Sequence, residues 1–202
     1  MHGDELRFGS EVFVTLFVIM DPLGTVPIFL SLTATRSHAA RRRLAWQAVA
    51  VAGGVIGAFA VFGQQLLSSL GISLPALQGS GGLLLLLVAL ELLTGRNEQP
   101  SGMDDVNVAL VPLGTPLIAG PGAIVATIVF VRQAHGAADA LAIVVAMAAV
   151  LAVLYVALRF SLVVWRLLRP SGIQLLTRIF GLLLSAIAVQ LVAEAVRGFV
   201  KG

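Results

Sequence analysis

Cysteine is absent from the 202 residues, which excludes disulfides, thiolate metal sites and cysteine nucleophiles while leaving the compartment open. Charge is scarce too: 11% of residues are Asp, Glu, Lys or Arg, against roughly 25% in a soluble domain. Histidine occurs three times, as His2, His38 and His135, each near the end of an apolar run. No His-Glu-x-x-His or paired acidic motif for a metal is present. Gly79-Ser80-Gly81 resembles the serine setting of an intramembrane protease, but no histidine lies in a later apolar run to act as its base. An intramembrane enzyme is therefore the remote alternative, and no metal or organic cofactor is expected.

What fills the chain instead is apolar: 58% of residues are hydrophobic, and the mean hydropathy is +1.01. The composition predicts an all-α integral membrane protein whose first partner is the lipid bilayer. At about 20 apolar residues per span, six spans fit and eight would be crowded. The net charge of +3 does not point to nucleic acid, because the arginines sit at the ends of apolar runs, where they act as topology signals. No basic leader or small-residue cleavage site flanks the first run, so a cleaved signal peptide is not expected.

Two helix-breaking passages organise the rest. Asp21-Pro22-Leu23-Gly24-Thr25-Val26-Pro27 interrupts the first apolar run, and Val111-Pro112-Leu113-Gly114-Thr115-Pro116-Leu117-Ile118-Ala119-Gly120-Pro121-Gly122-Ala123 interrupts a later one. Proline removes an amide donor and glycine weakens helical order. Unpaired backbone groups cost several kcal/mol each in hydrocarbon, so such passages survive only against protein or a watery cavity.

Spans are predicted at about 8–35, 44–70 and 77–93, forming a first repeat over 1–95. A polar connector at 96–106 leads to spans at about 107–131, 140–168 and 174–199, a second repeat over 107–202. Arg159 to Arg169 is expected at the interface. Besides the shared Pro-Leu-Gly-Thr, Gly82-Leu83-Leu84-Leu85 aligns with Gly181-Leu182-Leu183-Leu184. An odd number of spans per half makes the repeats inverted, each with its first helix broken. Loops one, three and five hold nine of the arginines, against four basic residues in the remaining connections and termini. The positive-inside rule then puts both termini outside.

Transporters built from inverted repeats bind substrate where broken helices meet near the midplane. A half-helix starting inside the membrane presents bare amides to a carboxylate. Pro27 and Pro121 can each open such a half-helix, while carbonyls ending the preceding segment suit an ammonium group or a cation. The candidate substrate-binding residues are Asp21, Pro22, Gly24, Thr25 and Pro27 in the first passage. Gly114, Thr115, Ala119, Gly120, Pro121, Gly122 and Ala123 are those in the second. Asp21, Glu91 and Gln190 are the ion-coupling candidates, with H⁺ or Na⁺ as the coupling ion. The plainer readings are that Asp21 only caps the second half-helix, that Glu91 snorkels, and that Gln190, Gln78 and Ser80 bond neighbouring helices. Glu194 is expected to pair with Arg197. Small-residue faces on the second span suit internal packing and a homo-oligomer equally well.

The two passages, with Gly81-Gly82-Leu83-Leu84 and Arg178-Ile179-Phe180-Gly181-Leu182, resemble the signature stretches of the MarC family over essentially the whole chain. Thr25 stands where the family often has Asn, and Gln78 where a basic residue is common. The resemblance implies a multi-pass protein of the bacterial or archaeal cytoplasmic (inner) membrane. It also implies, through some members, secondary active transport of small neutral amino acids of the alanine, glycine or serine type, with export as one direction. A channel or an efflux protein for another small solute is the alternative.

Overall fold

The computed structural model describes residues 2–94 and 119–201. The predicted connector and the candidates Gly114 and Thr115 lie outside them. Seven helices and no strand are found among the described residues: α1 (His2–Met20), α2 (Thr25–Leu32), α3 (His38–Ser69), α4 (Leu74–Thr94), α5 (Pro121–Gln133), α6 (Ala137–Arg159) and α7 (Ser161–Lys201).

Their ends follow local chemistry. Ser37 caps α3 by accepting from the Ala40 amide at 3.3 Å. Past the other end, Gly71 takes a φ of 66°, and the Ile72 amide reaches back to Leu67 O at 2.9 Å, a glycine-terminated helix end. Within α7, Arg169 (φ 54°, ψ 165°) breaks the helix just before Pro170, and the apolar stretch able to cross a membrane is Ser171–Val200. The preceding crossing helix, α6, stops at Arg159, so the arginine-rich segment that follows is a separate short helical piece.

Four helices are long and apolar enough to span a bilayer: α3, α4, α6 and the later part of α7. A fifth candidate is the bent pair Leu6–Met20 and Thr25–Leu32, of α1 and α2, which meet at 43° and are long and apolar enough only when taken together. In α5 the described part of the second interrupted run is a shorter apolar helix. Leu83, Leu87, Val144, Val145, Leu182 and Val189 are exposed, as helices facing lipid on one side and the bundle on the other require.

Packing is organised around α4 against α7, the most extensive pairing in the bundle. A Cβ at Gly82 would lie 2.8 Å from Ala188 O, and one at Gly181 would lie 3.2 Å from Ala89 O. Neither position admits a larger side chain without separating the helices. Leu85, Ala89, Leu184 and Ala188 are buried between them, with Val18 of α1. Outside this pair, α1 packs on α6 and α3 on α5. A larger core of α1, α2, α3, α5 and α6 residues, including Leu16, Phe29, Ala52, Phe130 and Leu154, fills the other side.

Candidate functional site

The first interrupted passage is built by one residue. Asp21 adopts a φ of 37°, in the left-handed region that Asp tolerates better than most side chains. Its amide still closes the last turn of α1 on Phe17 O at 3.1 Å. Its Oδ1 accepts from the Gly24 amide at 2.9 Å, and its own carbonyl accepts from the Thr25 amide at 3.1 Å and from the Thr25 hydroxyl at 2.8 Å. Asp21 is thus a cap, as the plainer reading has it, but only through one oxygen. Oδ2 is buried with no hydrogen-bond partner among the described residues. A Cβ at Gly24 would overlap that same oxygen, so the turn closes around the carboxylate only because residue 24 has no side chain. Pro22 and Thr25 are buried and Pro27 is half-buried. Pro27 is the third residue of α2 rather than its first, still within the first turn where a missing amide costs no intrahelical bond.

The second passage enters the described residues at Ala119. Gly120 is the N-cap of α5 in extended conformation (φ −61°, ψ 165°), with no side chain bonded to the cap, and Pro121 is the first helical residue. Ala119, Gly122 and Ala123 are buried and Gly120 is half-buried. A Cβ at Gly122 would overlap Leu85 Cδ2 and come within 3.5 Å of Ile19 Cγ2. Leu85 lies about halfway along α4, so α5 begins in the middle of the bundle. Ile19 is two residues from Asp21, and Met20, Ala119 and Ala123 share one core cluster. The fold therefore brings the described end of the second passage, residues 119–123, beside the first.

Glu91 and Gln190 are not part of that meeting. Glu91 is exposed near the end of α4. Gln78, thirteen residues earlier and so about 20 Å away along the axis, donates through Nε2 to Glu194 Oε2 at 3.1 Å. Gln190 Nε2 donates to Glu194 Oε1 at 3.0 Å. Glu194 thus joins α4 to α7 through amide donors, instead of the expected pairing with Arg197, because Gln78 projects from the closely packed face of α4. Glu194 and Gln190 line a cavity of about 290 Å³ with Glu11, Thr15, Gln133 and Ala126. Ala126, which lines it, is one helical turn from Gly122, about 6 Å.

Sequence reasoning passed over Glu11, Thr15 and Gln133. The available signal was Glu11, an acid inside the apolar run from Phe8 to Met20, to which the same expectation applies as to Asp21.

Several apolar crossing helices, one of them broken around a buried acid, define a multi-pass integral membrane protein. A family model described as MarC family integral membrane protein matches residues 6–200, and the chain belongs to that family. It is 35% identical over 201 residues to the UPF0056 membrane protein MJ1677 of Methanocaldococcus jannaschii, covering 96% of this chain and 98% of the relative. It is 30% identical to the UPF0056 membrane protein YvbG of Bacillus subtilis, covering 95% of each chain. To the UPF0056 membrane protein YhcE of Escherichia coli it is also 30% identical, covering 95% of this chain and 93% of the relative. No solved structure matches it.

Proposed function

We propose that this chain is a secondary active transporter of small neutral amino acids, coupled to H⁺ or Na⁺. The observation that carries the reading is Asp21 Oδ2, without a partner among the described residues and buried at a helix break beside the N-terminus of α5, which has no side-chain cap. An acid and the positive end of a helix at the same depth match the two poles of a zwitterion. Close packing at Gly24 and Gly122 favours a substrate with a small side chain. The buried, tightly packed breaks suit an occluded carrier better than an open pore. In this reading the 290 Å³ cavity, lined by Ala126 one turn from Gly122, is the access route from one side.

The same reading includes six spans in two inverted repeats. Supporting it, the Gly82 to Ala188 approach and the Gly181 to Ala89 approach interchange when the halves are exchanged, as do the pairings of α1 with α6 and α3 with α5. The basic cluster Arg36, Arg41, Arg42 and Arg43 faces the cytoplasm of a bacterial or archaeal cell, which leaves both termini outside the cytoplasmic membrane.

Purified protein in liposomes is expected to accumulate labelled alanine, glycine or serine under an imposed proton or sodium gradient. Flux that only dissipates a gradient would identify a channel, and no gradient-dependent uptake of any small amino acid would sink the transporter reading.

A further inference from the structure

At the end of the bundle opposite Glu194, a second cavity of about 310 Å³ is lined by His38, Arg41, Arg42, Arg159, Ser161 and Arg166, with no carboxylate in its lining among the described residues. We propose that it binds the phosphate group of an anionic phospholipid. Four guanidiniums around one hollow repel one another unless an anion sits among them, and the planar donor fork of Arg fits phosphate oxygens in pairs. Arg41 is already oriented: its Nη2 donates to Thr33 O at 3.1 Å, while its Nε is buried without a partner among the described residues. Ser161 is 1% exposed and begins α7, and His38 begins α3, so two helix N-terminal turns add their partial positive charge.

A lipid is the source that fits the rim. Phe160 and Val163, which also line the cavity, are 50% and 60% exposed, and Leu167 beyond them is 79% exposed. Such a surface lies against acyl chains while the arginines reach the headgroup layer, where basic pockets between spans attract anionic lipid. The site also touches the broken span. Thr33 is the C-cap of α2, so an anion held by Arg41 also fixes the far end of the half-helix that begins beside Asp21.

The test is native mass spectrometry of the whole protein from mixed micelles containing phosphatidylglycerol or phosphatidylcholine, with inorganic phosphate as a third arm. Phosphatidylglycerol is expected to be retained one per chain. Its apparent affinity is expected to fall on the order of tenfold in Arg42→Gln/Arg166→Gln and to recover in Arg42→Lys/Arg166→Lys. Thermal unfolding in phosphatidylcholine alone checks that the glutamine variant is folded. Equal retention of the two lipids, or wild-type retention by the folded glutamine variant, overturns the proposal. Displacement of lipid by millimolar inorganic phosphate overturns the lipid assignment in favour of a soluble phosphate. None of these readouts depends on transport, so a failure of the transporter reading would leave the result interpretable.

Discussion

At Asp21 the chain breaks its helix with a side chain; at Gly120 a helix starts with no side chain bonded to its cap. The first break is held by a carboxylate oxygen on the Gly24 amide and by the Thr25 hydroxyl on the Asp21 carbonyl. The second has no side-chain cap and relies on proline at its first helical position. A charged group can therefore be exchanged at the first site with little change in shape, whereas at the second only shape is available to change. On the proposed transporter reading, the difference divides the work of recognition into an electrostatic half and a steric half.

Five single substitutions sharpen or break that division. Asp21→Asn keeps an acceptor for the Gly24 amide but removes the charge. Ion-driven uptake in proteoliposomes is expected to fall roughly 10- to 100-fold, the loss of one charge-assisted contact, with the protein still folded. Wild-type coupling in that variant would return Asp21 to the rank of a cap. Gly122→Ala puts a methyl group onto Leu85 and is expected to cost about 1–3 kcal/mol in thermal or denaturant unfolding, with partial recovery when Leu85→Ala is added. No recovery would mean that α5 does not start against α4. Gly82→Ala and Gly181→Ala are each expected to destabilise by about 1 kcal/mol or more, and by similar amounts. A large inequality would argue against equivalent halves. Glu194→Gln weakens its bonds to Gln78 and Gln190 and is expected to cost about 1 kcal/mol while leaving substrate affinity in uptake assays nearly unchanged. A large affinity loss would move the primary site into the outer cavity.

The helical fold was legible because spans, breaks and basic clusters are written as composition, proline and arginine at fixed places. Asp21 was legible as a buried acid at a break, and Pro121 as the opening of α5. What escaped depends on distance across the bundle. Glu194 lies three residues from Arg197, and sequence favours that local pair, whereas its observed partner Gln78 is 116 residues away. Glu11 was missed because the apolar run around it masks a single acid. The placement of Pro27 shows the limit of turn chemistry: proline is tolerated anywhere in the first helical turn, so its position alone cannot number the residues of that turn.

The glycine approaches between α4 and α7 have a consequence for heredity. Because Gly82 rests against the backbone of residue 188 and Gly181 against that of residue 89, enlarging either residue spreads the same seam. A chain that tolerates a bulkier residue at one position must have loosened the seam already, and so becomes more permissive at the other. Across diverging lineages the two positions are expected to drift as a coupled pair, although almost half the chain separates them.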